Sequence, residues 1–265
     1  MSVGMPASIW LVGCGNMAGA MLRRWIATGT VAPESVFVVN RGDRVLPEGV
    51  RQGREFPEGP LPDAVMLGMK PQQIAEISEK FGARLAGVPL LISILAGVEL
   101  DALAGYFRAG AIVRAIPNLP VALGKGVVGL HGARDARVEA LMAPLGLVEW
   151  IDSEGQFDVV TALAGSGPGF LYRFIDALAE GGVALGLPAD QAQRLALAAV
   201  EGGALLASAA DISPAELADR VASPRGSTRE GLNVLDRDDV LKRLVYETLA
   251  AATRRNAEMA AEARK

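Results

Sequence analysis

The sequence predicts an α/β fold in two parts: an N-terminal domain of alternating strands and helices over residues 1–152, followed by an all-helical domain over 153–265. Three observations carry this. The apolar run Ile9-Trp10-Leu11-Val12 passes straight into a glycine turn and then a helix, Ala20 to Ala27. Further short β-rich runs recur up to about Ile151 with helix-like pieces between them, the pattern of parallel βαβ units. Beyond Phe157 the β-rich runs stop and helix follows helix.

The turn after the first strand reads Gly13-Cys14-Gly15-Asn16-Met17-Ala18, a G-x-G-x-x-A sequence. Its first glycine turns the chain tightly, the second lets backbone approach phosphates, and the small Ala18 lets helix and strand pack closely. A pyrophosphate then sits at the positive end of the helix, so the strand–turn–helix context predicts a Rossmann dinucleotide-binding domain. The second strand, Val36-Phe37-Val38-Val39, lies about 20 residues beyond the glycines, where a site for NAD places an acid. Here the strand ends in Asn40-Arg41, with Arg44 close behind. A guanidinium grips a 2′-phosphate that a carboxylate would repel, so NADPH is the expected cofactor and NADH the weaker alternative. Two such arginines also occur as a solvated loop pair, but their place at this strand end favours phosphate.

Ala64-Val65-Met66-Leu67 is the third strand by this reading, ending in Gly68-Met69-Lys70-Pro71. Met69 and Lys70 then lie at the carboxyl edge of the sheet, where Lys70 can donate to ribose or phosphate, and Pro71 starts a helix to Leu85. The fourth strand, Leu90 to Leu95, runs into Ala96-Gly97-Val98, small enough for backbone to lie against a ribose or nicotinamide. A helix over Leu100 to Phe107 and a fifth strand, Ala111 to Ala115, follow. Asn118, between Pro117 and Pro120, offers a fixed amide in the same crevice or serves the turn alone. Val127 to Leu130 is strand-like, and His131 behind it reads as a loop residue.

Helices are expected over Gly169 to Leu185, Pro188 to Ala210, Pro214 to Val221 and from Thr228 to the C-terminus. Ser213-Pro214-Ala215-Glu216 carries a serine cap, proline at the first position and a glutamate that closes a capping box. Between Ala189 and Ala210 the only charged residues are Asp190, Arg194 and Glu201. A helix that apolar must be buried, in a subunit interface rather than in the centre of a small monomeric domain.

The net charge of −4, with no basic stripe, argues against nucleic acid as a partner. The single cysteine, Cys14, and the single histidine, His131, leave no internal disulfide, no thiolate or histidine metal site and no triad. No apolar stretch is long enough for a bilayer, and the N-terminus lacks signal-peptide order, so no membrane partner and a cytoplasmic location are expected.

One more segment suggests chemistry. Ser223-Pro224-Arg225-Gly226-Ser227-Thr228, before a helix, offers hydroxyls, a glycine and free amides that suit a substrate carboxylate; the same residue types also cap helices. With Gly165-Ser166-Gly167-Pro168-Gly169-Phe170 it completes a pattern that resembles the pyrroline-5-carboxylate reductases over essentially the whole chain. The family's signatures are G-x-G-N-M-A/G, V-K-P, A-G-V, M-P-N, G-S-G-P-A-Y and S-P-G-G-T-T. The departures are Gly169 and Phe170 for Ala and Tyr, Leu119 for Thr, and Arg225 and Ser227 for Gly and Thr. Arg225 changes the charge and backbone freedom of the carboxylate loop.

The resemblance implies a helical half like the C-terminal domain of 6-phosphogluconate dehydrogenase, interlocked dimers, and association up to a decamer. It implies NADPH-dependent hydride transfer to the C=N bond of 1-pyrroline-5-carboxylate, giving L-proline in the last step of proline biosynthesis. Thr228 would hydrogen-bond the ring nitrogen, the amides of Gly226 and Ser227 would bind the carboxylate, Ser223 would shape the loop, and Asn118 would touch substrate or cofactor. A β-hydroxyacid dehydrogenase shares the two-domain plan, but its lysine position here is Leu171, with Phe174 and Ile175 where its asparagine would stand. A base is needed to take the proton of an alcohol, and leucine supplies none. A reductase of another cyclic imine carboxylate, or a non-enzymatic NADPH-binding regulator, remains the alternative.

Overall fold

A computed structural model describes residues 4–263; Met1–Val3 and Arg264–Lys265, the outer ends of the two expected domains, lie outside the described residues. Strand β1 (Ile9–Val12) is buried throughout and feeds helix α1 (Asn16–Ala27). Strands β2 (Val36–Val39), β3 (Arg51–Gly53) and β4 (Ala64–Leu67) follow. Then come α2 (Ile74–Leu85), β5 (Val88–Ser93), α3 (Leu100–Tyr106) and β6 (Ala109–Pro117). The sheet is completed by β7 (Gly126–Gly132), α4 (Ala136–Met142) and β8 (Gly146–Trp150), after which α5 (Glu154–Val160) runs into a π-helical turn, Thr161–Gly165.

The strand order is β3-β2-β1-β4-β5-β6-β7-β8. It reverses between β1 and β4, the point at which a doubly wound sheet opens a crevice at its carboxyl edge. Ile9 and Leu11 join one apolar layer with Met21, Leu22 and Trp25 of α1 and Leu141 of α4, while Trp10 and Val12 join the other with Ile77 and Phe81 of α2 and Leu103 of α3. Helices on both faces are why these strands are apolar without alternation. Each large side chain so buried contributes about 1.5–3 kcal/mol. Trp25, fully buried, satisfies its polar edge by donating Nε1–H to the Leu141 carbonyl at 2.7 Å.

Three expectations are corrected here. β6 and β7 are antiparallel, because the connection 118–125 is too short for a crossover, which needs about a dozen residues or more. β3 and β8 add an edge strand on either side of the expected set. His131 is not in a loop: it lies on β7 opposite Arg114 of β6, with its Nδ1 bonded to the Ile151 carbonyl at 2.7 Å. Arg114 is buried, ion-paired to Glu154 and placed 4.2 Å over the Phe157 ring; burial pushes its pKa down and Glu154 opposes that shift. This cluster fixes α5 on the sheet, and so accounts for a buried charge outside the crevice.

The chain forms two compact units, Met1–Ser166 with Ala252–Lys265, and Gly167–Ala251. The second comprises α6 (Gly167–Ala184), α7 (Ala189–Ser208), α8 (Pro214–Val221), α9 (Ser227–Asp236) and the first turns of α10 (Val240–Ala263). The expected single C-terminal helix is thus two, parted at Arg237–Asp239, where Asp238 and Asp239 both take a φ of 52°. α6 and α7 approach closely at Gly182, where an added Cβ would lie 3.3 Å from that of Ala192. The capping box at α8 is formed, with Glu216 N–H donating to Ser213 Oγ and Ser213 N–H to Glu216 Oε2. On α7 only Ala192 and Ala196 are buried, and Leu195, Leu197, Leu205 and Leu206 are each more than half exposed in the single chain.

The closing turns of α10 belong to the first unit. Asn256 Nδ2 donates to the Asp158 carbonyl at 3.1 Å, and Met259 and Ala260 lie against Gly97. Among the described residues no helix is long and apolar enough to cross a membrane.

Candidate active site

At the β1–β4 switch point lies a cavity of about 750 Å³ whose wall begins with the glycine turn, Gly13 to Ala18. Gly13 has a φ of +83°, and a Cβ there would stand 2.8 Å from the Met69 amide nitrogen, so only glycine fits. Its own N–H donates to the Val39 carbonyl at 2.8 Å. Gly15 is open, with nothing within 4 Å of where a Cβ would be, and it is the N-cap of α1, which has no side-chain cap. The first-turn amides of α1 have no intrahelical acceptor, so the wall presents unsatisfied donors at the positive end of a helix dipole.

Asn40 closes the far side of the turn. Its Oδ1 accepts from the Cys14 N–H at 2.9 Å, while its buried Nδ2 has no partner. An unpaired buried donor costs about 1–3 kcal/mol, which an acceptor on a bound ligand would offset. Cys14 itself contributes backbone only: burial pushes its thiol pKa up, against the pull of Arg23 and Arg44, so it stays protonated.

Asn40, Arg41, Arg44, Met69 and Lys70, all expected on sequence grounds, share this lining. Arg44 is held through its backbone, whose N–H and carbonyl bond the Gln52 side chain at 3.1 and 2.8 Å. The lining also includes Arg54 and, from the start and face of α2, Gln73, Glu76, Lys80 and Phe81, which motif reading did not flag. The spacing of Gln73, Glu76 or Ile77, and Lys80 or Phe81 is a helical stripe, and that stripe is the signal that identifies them. Arg41 pairs with Glu76, Arg54 with Asp43 at 3.0 Å and Lys80 with Glu55 at 2.6 Å. A cavity with a glycine turn, a helix N-terminus, a spare buried amide and a cationic rim fits a phosphorylated dinucleotide.

Pro71, Ala96, Gly97 and Asn118 are not in this lining. Pro71 opens a 3-10 turn, Pro71–Gln73, at the head of α2. Gly97 has a φ of +72°, and its missing side chain is accounted for by α10, since a Cβ would lie 3.3 Å from Ala260 N. The Asn118 amide, expected to face a ligand, makes two bonds within the protein. Oδ1 accepts from Val127 N–H at 2.8 Å, and Nδ2 donates to the Ala164 carbonyl at 2.9 Å, tying the π-helical turn to the end of β6.

The residues expected to form the substrate loop, Ser223 to Thr228, stand in the second unit. Gly226 N–H donates to the Ser223 carbonyl at 2.9 Å, which removes it from the set of free amides and closes a tight turn. A Cβ at Gly226 would meet Ser223 Oγ at 2.6 Å. Gly226 is the N-cap of α9 and no side chain caps it, so neither Ser227 nor Thr228 does the structural job that would otherwise explain their hydroxyls. The first-turn amides of α9, from Ser227 onward, have no intrahelical acceptor. Arg225 takes a φ of +61°, a left-handed conformation that glycine adopts freely.

Comparison with known proteins gives a consistent result. Residues 154–259 match the family described as pyrroline-5-carboxylate reductase dimerisation, and residues 8–97 match NADP oxidoreductase, coenzyme F420-dependent. A pyrroline-5-carboxylate reductase of Synechocystis is 36% identical over 276 residues, covering 96% of this chain and 99% of that one. The structure of a pyrroline-5-carboxylate reductase from Coxiella burnetii superposes with a TM-score of 0.86 at 32% identity, over 96% of this chain and 98% of that one. The Plasmodium falciparum pyrroline carboxylate reductase with NADP bound has the same fold, with a TM-score of 0.81 at 23% identity over 97% of this chain and 100% of that one.

Proposed function

The chain belongs to the pyrroline-5-carboxylate reductase family, and we propose that it reduces the C=N bond of 1-pyrroline-5-carboxylate with NADPH to give L-proline, the last step of proline biosynthesis. The observation that carries this reading is the cavity at the β1–β4 switch point, where the glycine turn, the unpaired Asn40 Nδ2 and a cationic rim line one space.

NADPH, when bound, supplies the hydride. The residues that would hold it are Gly13 to Ala18 at the pyrophosphate, Asn40, Arg41 and Arg44 at the 2′-phosphate end, and Met69, Lys70 and Pro71 toward the ribose. The Ala96–Gly97 turn, braced by α10, and Asn118, through its hold on Ala164, shape the nicotinamide end. On the substrate side the first-turn amides of α9, beginning at Ser227, take the carboxylate, with Gly226 and Ser223 setting the turn. The Thr228 hydroxyl hydrogen-bonds the ring nitrogen. A protonated imine is already electrophilic, so the protein need not provide a strong acid. Its task is to hold the imine carbon about 3–3.5 Å from the hydride donor and exclude water.

In this reading residues 1–152 serve the cofactor and 153–265 serve substrate and self-association. The exposed leucines of α7 pair two copies into a homodimer, which associates further toward a decamer and in which a second subunit completes each site. The protein works in the cytoplasm, where Cys14 stays reduced. The test is NADPH consumption over a panel of five- and six-membered cyclic imine carboxylates. The highest kcat/KM is expected with 1-pyrroline-5-carboxylate; a six-membered imine in first place would reassign the substrate, and no consumption with any would return the chain to a regulatory binding role.

A further inference from the structure

We propose that Glu76 determines dinucleotide specificity in this site, acting as acceptor for an unmodified ribose 2′-hydroxyl and as competitor of a 2′-phosphate for Arg41. This rests on the reading of the cavity as the cofactor site. The end of β2 carries no acid, which leaves a ribose hydroxyl without the acceptor that an NAD site supplies there. The structure supplies one from elsewhere. Glu76, on α2, lines the same cavity as Arg41 and is ion-paired to it.

Glu76 is the only carboxylate in that lining among the described residues, against Arg41, Arg44, Arg54, Lys70 and Lys80. The other two acids paired to rim cations, Asp43 and Glu55, lie outside it. Side chains of Arg41 and Glu76 are 66% and 58% exposed, so the pair is open to exchange. A 2′-phosphate entering the rim must take Arg41 from Glu76 and tolerate a carboxylate beside its own charge. A 2′-hydroxyl can donate to that same carboxylate while Arg41 stays in place. One ion pair therefore serves both ribose forms, and its acid narrows the advantage that the cations give to the phosphorylated one.

The experiment is calorimetric titration of the full-length protein, without substrate, with NADP+ and with NAD+. Wild type, Glu76→Gln and Arg41→Ala are compared, with a melting curve for each. Glu76→Gln is nearly isosteric and exposed, so it should melt as wild type. It should bind NADP+ more tightly and NAD+ more weakly, raising the ratio of Kd for NAD+ to Kd for NADP+ about tenfold. Arg41→Ala should move that ratio the other way. A ratio left unchanged by Glu76→Gln, or both affinities shifting together, would overturn the role of Glu76 while leaving the site intact. Wild-type protein that bound neither dinucleotide would instead overturn the cofactor-site reading itself.

Discussion

Thr228 stands in the first turn of α9 and takes no part in capping it, so its hydroxyl can be removed without removing a structural bond. Thr228→Ala should lose a hydrogen bond to a charged group, about 1.5–3 kcal/mol or roughly ten- to a hundredfold in kcat/KM. Thr228→Ser keeps the hydroxyl and should be mildly impaired. Steady-state kinetics beside melting curves checks this: both variants should melt as wild type and bind NADPH normally, and an alanine variant with full turnover would remove Thr228 from the reaction. Arg225 holds its place in the loop at a backbone cost. Its φ of +61° carries a left-handed penalty of about 1–2 kcal/mol that glycine escapes, partly offset by the greater unfolded freedom of glycine. Arg225→Gly should therefore stabilise the fold by about 0.5–1 kcal/mol, read as a raised melting temperature; a lowered one would mean that the Arg225 side chain contributes more than its backbone costs. The glycine turn, Gly13 to Ala18, was legible from sequence because a tight turn admits few residue types. Glu76 and Lys80 were not, since charged residues on an amphipathic helix look the same whether they face solvent or a cavity.

Gly97 joins two elements that are far apart in sequence, the turn after β5 and the last turns of α10. The small residues at 96–97 were read as room for a ribose or nicotinamide; the group that the structure places against Gly97 is Met259–Ala260 of α10. Gly97→Ala should cost about 1–2 kcal/mol for its left-handed backbone, with a further cost from the 3.3 Å contacts to Met259 and Ala260. Thermal melting checks the loss, expected at about 2–4 °C per kcal/mol; an unchanged melting temperature would show that α10 does not brace this turn. Most strands were readable because burial on both faces makes them continuous apolar runs. β3, Arg51–Gly53, was not, since three residues at a sheet edge carry no apolar signal. The antiparallel β7 did leave a sign, in a connection from β6 too short to hold a crossover helix, whereas alternation of strand and helix alone points to parallel pairing.

For the molecule as a whole, the apolar face of α7 is the feature that a single chain leaves unfinished. Leu195, Leu197, Leu205 and Leu206 are more than half exposed in a helix with few charges, an arrangement that calls for a second copy. Light scattering should find at least a dimer that persists on dilution, and an active monomer would contradict it. Sequence texture alone separated the α/β part from the helical part, but the return of Ala252–Lys265 to the first unit has no local signature, because it depends on a contact between distant segments. The central claim is direct hydride transfer to the imine carbon. It is tested by supplying NADPH carrying deuterium as the transferred hydride, together with 1-pyrroline-5-carboxylate, and locating the label in the product. L-Proline with one deuterium on the ring carbon that was the imine carbon, formed one for one with NADPH consumed, is the predicted result; unlabelled proline, or NADPH consumed without proline, would contradict the account.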